Sequence, residues 1–245
     1  MEILGIDIGG SGIKGALVNT ESGEITTERF RIDTPRPATP KAVIKTIKNI
    51  ANHFDYMGPI GVGFPGIVVD GVILSAVNIH AGWVNYNGAK AISDATGCPV
   101  TIKNDADVAG LAEMAFGAGR GMQGIVMIFT LGTGIGSVMF NYGCNVPNLE
   151  LGHLYMPGHK QDAEFYAADR ARKAENLSWK EWGKRLNEYF QYIEFLFSPQ
   201  VIILGGGVSK KHDKFLKYIR TRAQVLPAQL RNHAGIVGAA MSAIG

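Results

Sequence analysis

Cysteine is nearly absent from this 245-residue chain, with Cys98 and Cys144 the only two. Two cysteines cannot build a disulfide framework, so the expected setting is a reducing, cytoplasmic one. Long apolar runs are also missing. None reaches membrane-spanning length, and the opening Met1-Glu-Ile-Leu4 reads directly as strand, so neither a membrane partner nor a signal or transit segment is expected. Low-complexity tracts and flexible linkers are lacking too. Charge is sparse at 18% of residues against 46% hydrophobic, the balance of a globular protein with ample core material.

The net charge of +3 is unevenly spread. Residues 1–107 carry 9 Lys/Arg against 11 Asp/Glu, and residues 108–245 carry 15 against 10. The surplus gathers at Lys210, Lys211, Lys214, Lys217, Arg220 and Arg222, opposed only by Asp213. Two readings stay open: a solvated helix face, or a field that serves an anionic ligand held just upstream.

What the chain does have is glycine in three clusters, each after a short apolar run. They are Asp7-Ile-Gly-Gly-Ser-Gly-Ile-Lys14, Leu131-Gly-Thr-Gly-Ile-Gly136 and Leu204-Gly-Gly-Gly-Val-Ser209. A strand that runs into glycines brings bare backbone N–H groups together, and the missing Cβ lets a phosphate approach them. One such cluster is an ordinary hairpin. Three in succession point to a cleft that holds a chain of phosphates.

Residues 2–8, 13–19 and 24–30 read as an antiparallel meander. Thr39-Pro40 starts a helix with Val43, Ile47, Ile50 and Phe54 on one face. A strand at 60–64 ends in Pro65-Gly66, and a short helix over 90–96 closes at Gly97. The next strand, 99–103, delivers Asn104-Asp105-Ala106-Asp107 to a helix that runs through Phe116. The pattern then repeats. Residues 124–131 and 134–141 form a hairpin, and Ser178-Trp-Lys-Glu181 is a capping box that opens a helix to Ser198. A buried strand at 201–204 and a closing helix at 235–244 follow. The repetition predicts an α/β fold of two related lobes around a central cleft. The expected division is 1–107 and 108–233, with about 234–245 packing back on the first.

Several residues could carry chemistry. Asp7 sits at a strand end beside the first turn, where a carboxylate can serve Mg²⁺, and Lys14 can add charge to a phosphate. Asp105 follows an apolar strand and suits the carboxylate that accepts a hydroxyl proton in phosphoryl transfer. Against this, Asn104 and Asp105 could simply cap the next helix; Asp107 is expected to be the cap, which leaves Asp105 available. Glu150 and His153 would share one face of a helical turn and could grip vicinal sugar hydroxyls. A zinc site at Cys144, His153 and His159 competes, although its spacing matches no standard pattern. Asn78 and Trp83 could line the sugar pocket, with Trp83 the better core residue.

Taken together, these motifs resemble the ROK (repressor, open reading frame, kinase) sugar-kinase family, of the actin-like ATPase superfamily, along essentially the whole chain. The resemblance implies two actin-like, ribonuclease H-like lobes. It makes Asp105 the general base on the sugar 6-hydroxyl. Gly66, Asn78, Asn104, Glu150 and His153 would join Asp105 in binding sugar, the last two through the Glu150-Leu-Gly-His153 element. Phosphates would be held by Asp7, Gly9, Gly10, Ser11, Gly12 and Lys14, then by Gly132, Thr133 and Gly134. Gly205, Gly206, Gly207 and Lys210 complete that set. Most family members follow the Glu-x-Gly-His element with a cysteine-rich zinc loop. Here that loop is missing, so no structural zinc is expected, and the sugar-binding glutamate is carried onto Glu164.

The missing loop, together with Leu177-Ser-Trp-Lys-Glu-Trp-Gly183, Phe195-Leu-Phe-Ser-Pro199 and Leu230-Arg-Asn-His-Ala-Gly-Ile-Val-Gly238, is similar to the polyphosphate glucokinase branch. That branch implies Mg²⁺-dependent transfer from inorganic polyphosphate, with ATP as a possible second donor, to the 6-hydroxyl of glucose. It also implies a homodimer. An ATP-dependent kinase of glucose, mannose or another hexose is the near alternative. A sugar-responsive repressor is the distant one; such proteins carry an N-terminal helix-turn-helix, and no nucleic-acid partner is expected here.

Overall fold

A computed structural model describes residues 1–77 and 79–244. The chain divides into two compact units, Met1–Phe116 with His233–Gly245, and Gly117–Asn232.

The first unit contains β1 (Glu2–Ile8), β2 (Gly12–Asn19), β3 (Glu24–Ile25), β4 (Phe30–Asp33), α1 (Pro40–His53), β5 (Ile60–Phe64), β6 (Val68–Val69), β7 (Val72–Ile73), β8 (Tyr86–Asn87), α2 (Gly88–Thr96), β9 (Val100–Asn104) and α3 (Asp105–Phe116). Its main sheet has the order β3-β2-β1-β5-β9, with β4 also paired to β2. β1 is antiparallel to β2 and parallel to β5, and β5 is parallel to β9. The carboxyl ends of β1, β5 and β9 therefore share one edge, where open α/β sheets hold their ligands.

Alternation assigns the two faces of this sheet. Leu4, Ile6 and Ile8 pack into one core with Val43, Ile47 and Ile50 of α1, whose first turn is capped by Thr39 with Pro40 at the first helical position. Gly5 and Gly61 occupy the other face. A Cβ on Gly5 would run into Ile236 O, and one on Gly61 into Ala239 O, so the C-terminal helix Ala234–Ser242 lies directly on strand backbone. That helix also packs against α3, which makes α3 part of the first unit.

One predicted strand is interrupted. Residues 24–30 do not form a single run; β3 and β4 lie in turn along β2, and the register shifts between them. Leu17 N donates to Thr27 Oγ1 at 3.1 Å where a strand would offer a main-chain acceptor, so a side chain bridges the break.

The second unit contains β10 (Ile125–Leu131), β11 (Ile135–Asn141), β12 (Cys144–Val146), α4 (Ala163–Ala167), α5 (Asp169–Ala174), α6 (Trp179–Phe197), β13 (Val201–Gly205) and β14 (Gln224–Pro227). Its sheet order is β12-β11-β10-β13-β14, with β10, β13 and β14 parallel. α6 opens with the Ser178–Glu181 capping box and ends at Ser198 in the left-handed region. It buries Trp182, Leu186, Tyr189, Phe190 and Ile193 against Phe129, Ile202 and Leu204. The basic segment after β13 is not an α-helix. Gly207–Lys214 forms 3-10 turns that kink at Lys211, and Lys210, Lys211, Lys214, Lys217, Arg220 and Arg222 are all exposed, so both readings of the basic run stay open. Among the described residues, no helix is long and apolar enough to cross a membrane.

Candidate active site

In the first unit the strand ends bring together Asp7, Lys14, the first glycine turn, Asn104 and Asp105. Asp7 and Lys14 are register partners across the β1–β2 hairpin, and Lys14 Nζ stands 3.6 Å from Asp7 Oδ2. Burial raises the Asp7 pKa, and the Lys14 ammonium opposes that rise. Gly235 crowds the same carboxylate; a Cβ there would lie 3.0 Å from Asp7 Cγ. The turn between the strands is closed by Gly9 N donating to Gly12 O at 3.1 Å. Gly10 faces open space. Arg31 reaches across Gly12 and donates to Ser11 O at 2.8 Å, which places a guanidinium on the turn.

At the end of β9, Asn104 caps α3. Its Oδ1 accepts from Ala106 N at 2.8 Å and Asp107 N at 3.1 Å. Asp107 was expected to be the cap, but it lies inside the first turn, where its own N–H is one of the groups being capped. Asn104 Nδ2 donates to Gly66 O at 3.1 Å, so two predicted sugar residues are brought together. Asp105 is the first residue of α3, half-buried, at the carboxyl edge of the sheet. Trp83 is fully buried, with Nε1 bonded to Ala38 O and its ring 5.0 Å from Phe64; it belongs to the core. Asn78 lies outside the described residues.

In the second unit, Glu150 precedes a 3-10 turn, Leu151–His153. Ser137 on β11 pins this turn by accepting from Leu151 N and donating to Leu149 O. A Cβ on Gly152 would strike Ile135 O, so only glycine fits between Glu150 and His153 at this approach. His153 Nδ1 pairs with Asp162 Oδ2 at 2.9 Å, and this contact raises the imidazole pKa, with Glu164, Asp162 and Glu150 adding to the effect through charge. Glu164 is buried; its Oε2 accepts from Ile135 N at 3.3 Å and its Oε1 stands 3.7 Å from Arg170. His153, Asp162 and Glu164 offer ligand atoms within 4.8 Å of one another, the arrangement among the described residues that could share a cation. Neither Cys144, exposed on β12, nor His159, bonded to Glu188, belongs to it.

The second and third glycine turns lie side by side. β10 and β13 pair to Thr130↔Gly205, and Gly206, at φ 81°, presses on the Leu131 backbone. Gly132 N donates to Gly134 O, Arg170 N donates to Gly132 O, and Ser209 Oγ closes the third turn on Gly206 O. Beside them opens a cavity of about 730 Å³ lined by Gly132, Thr133, Gly207, Asp169, Arg170, Arg172, Lys173, Trp179 and Lys211, among others. Four cations there face one carboxylate, Asp169, which is buried and paired with Arg172 and Lys173. The Arg172 guanidinium lies 4.2 Å above the Trp179 ring, and the Lys211 ammonium lies 5.7 Å from it. Lys210 is exposed and is not among the residues lining this cavity.

Residues 3–164 match the model of the ROK family. The chain belongs to the ROK family. A polyphosphate glucokinase of Mycobacterium tuberculosis is 43% identical over 98% of this chain and 90% of its own length. Among solved structures, the inorganic polyphosphate/ATP-glucomannokinase of an Arthrobacter species is 46% identical, with a TM-score of 0.92 over 98% of this chain and 97% of that one. A ROK family glucokinase from Streptomyces griseus, solved with glucose and AMPPNP, is 27% identical with a TM-score of 0.85, covering 99% of each chain.

Sequence reasoning missed Arg31, Asp162, Arg170, Arg172 and Lys173. Asp162 had a readable signal, a cap residue directly before the helix that carries Glu164. Arg170, Arg172 and Lys173 formed a second basic cluster, smaller than the one after Gly207 and preceded by Asp169.

Proposed function

We propose that this ROK-family chain transfers the terminal phosphoryl group of inorganic polyphosphate to the 6-hydroxyl of glucose, giving glucose 6-phosphate. The observation that carries the reading is the cavity beside the second and third glycine turns. Its four cations suit a ligand that is anionic along its length. An aromatic ring there, Trp179, is already covered by Arg172, and this favours a polyanion over a stacked base. The names borne by the Mycobacterium and Arthrobacter relatives support polyphosphate as donor, and the latter supports ATP as a second one.

Asp105 takes the proton of the attacking hydroxyl, a role that asks for a positioned carboxylate and little covalent chemistry. Asn104, Gly66, Glu150, His153 and Glu164 hold the sugar. The glycine turns present N–H groups to phosphate, with Lys14, Arg31, Arg172 and Lys211 as charge. Asp7 is a hard oxygen donor beside a phosphate turn and fits Mg²⁺, held through water; the ion supplies charge neutralisation on phosphate oxygens. The protein works as a cytoplasmic homodimer, a reading supported by α6, where Phe195 and Leu196 are exposed and Tyr192 stacks on Phe195.

The test is glucose 6-phosphate formation with Mg²⁺, comparing long-chain polyphosphate and ATP at equal terminal-phosphate concentration. Turnover with polyphosphate at least equal to that with ATP is expected. Turnover with ATP alone would leave a hexose kinase and remove the donor assignment.

A further inference from the structure

His153 and Asp162 are nine residues apart, on a 3-10 turn and at the N-cap of α4. Asp162 uses its two oxygens for two different tasks. Oδ1 accepts from Phe165 N at 3.3 Å and caps α4, the helix that carries Glu164, while Oδ2 meets His153 Nδ1 at 2.9 Å. Capping alone needs one oxygen. A serine or asparagine would satisfy it as well, so the cap does not account for the second contact.

An ionised carboxylate only accepts hydrogen bonds, so the proton between these groups sits on Nδ1. That leaves Nε2 as the atom the ring presents: a lone pair when the imidazole is neutral, an N–H when it is charged. The Asp162 side chain is 12% exposed and the His153 side chain 36%, so the carboxylate is the more shielded member of the pair and the ring keeps part of its surface accessible. Glu150 and Glu164 add to the effect of Asp162 on the imidazole through charge, while burial of the ring and the Arg170 guanidinium, 3.7 Å from Glu164, work against it.

We propose that Asp162 is a positioning residue for the acceptor site: its carboxylate holds the His153 ring in one orientation and tautomer, so that Nε2 meets a sugar hydroxyl. Nothing in the sequence motifs assigns Asp162 a role. The inference rests on the reading of His153 as a sugar contact. The pairing with Asp162 does not depend on that reading.

The experiment uses the full chain and two variants, Asp162→Asn and Asp162→Ser. Both retain a cap for α4. Asparagine can offer Nδ2–H to Nδ1, which drives the ring proton to Nε2 and reverses its polarity; serine leaves the ring unpinned. The His153 imidazole is titrated by NMR in the free protein, assigned by its loss in His153→Gln, and glucose KM is measured across pH with saturating donor. In the wild type the imidazole titrates above the ordinary histidine range, and both variants lower it. Glucose KM rises about tenfold or more, the usual scale for losing an orienting partner. Donor KM stays within twofold. The pH at which glucose KM changes moves down together with the imidazole pKa, which loss of a cap alone would not produce. Asp162→Glu recovers part of both effects.

Unchanged titration and unchanged glucose KM in both variants would overturn the proposal. So would a loss of thermal stability with the pH profile left in place, because that outcome reduces Asp162 to a helix cap. A wild-type chain without any glucose turnover would sink the proposed function instead, and the titration would still decide whether Asp162 sets the state of His153.

Discussion

Glu164 Oε2 accepts a hydrogen bond from the main-chain N–H of Ile135, 3.3 Å away, at the far end of the second glycine turn. A buried carboxylate thus holds the backbone that follows Gly132-Thr133-Gly134, and a Cβ on Gly134 would collide with that same oxygen. Gly134→Ala is therefore expected to displace Glu164 and lower stability by about 1–3 kcal/mol, the range for overpacking a filled site. Glu164→Ala should relieve the collision. Denaturant unfolding of the two single variants and the double variant should show the penalties failing to add. Simple additivity would mean that the two sites do not share this space.

Asp105 stands at the carboxyl edge of the parallel strands, behind an asparagine that already caps α3. Because Asn104 supplies the cap, Asp105→Asn should fold normally. Its kcat should fall by at least about 10²-fold, the lower end for losing a general base. Glucose binding, followed by calorimetry, should persist within a few fold. Weakened binding with undiminished turnover of the bound sugar would assign Asp105 to substrate holding.

The parts legible in the sequence were those with a repeating physical signature. Alternation and glycine clusters located both hairpins, Thr39-Pro40 and Ser178-Glu181 marked two helix starts, and Gly97 closed α2 in the left-handed region. What stayed hidden depended on contacts distant in sequence. The break between β3 and β4 rests on the Thr27 hydroxyl meeting Leu17, which no hydrophobic period reports. Asn104, Asp105 and Asp107 are all competent caps, and only folded geometry selects Asn104. Lys210 and Lys211 are equivalent on paper, yet the 3-10 path after Gly207 brings only Lys211 to the cavity. Arg172 and Lys173 reach the same cavity because the chain turns extended at Ala168, between α4 and α5.

Close helix contact supplies a stability prediction away from the chemistry. A Cβ on Gly238 would strike Val108 O, since the C-terminal helix crosses α3 at backbone distance. Gly238→Ala gains helix propensity of up to about 1 kcal/mol in an open helix. Here the clash is with backbone, which cannot rotate away. The expected outcome is a net loss, read as a lower denaturant midpoint. A raised midpoint would show that the two helices can separate at little cost.

Asp7 should trade stability for function. Burial raises its pKa in the folded chain, so the native state holds that proton more tightly than the unfolded state does. Its stabilising contribution is complete below the unfolded value of about 4 and is lost as pH rises through the folded pKa. Asp7→Asn removes this loss. The variant's stability relative to wild type should therefore grow from acid towards neutral pH and then level off, while Mg²⁺-dependent turnover falls. A variant that is less stable at neutral pH would mean that the Lys14 pair outweighs burial of the carboxylate.

The basic cavity makes a prediction about salt. Arg170, Arg172, Lys173 and Lys211 border it, and Arg172 and Lys173 are partly neutralised by Asp169. Removing Lys211 strips a cation that has no carboxylate beside it in that lining, so Lys211→Ala should raise polyphosphate KM more than Lys173→Ala does. A long polyanion engages several such charges at once, and each contact is screened as the Debye length shortens from about 10 Å at 0.1 M to about 3 Å at 1 M. ATP carries fewer charges and presents them at one end. Polyphosphate KM should therefore climb with added salt more steeply than ATP KM, and Lys211→Ala should flatten the difference. Parallel salt curves for the two donors, unchanged by the substitution, would place the polyphosphate chain somewhere other than this cavity.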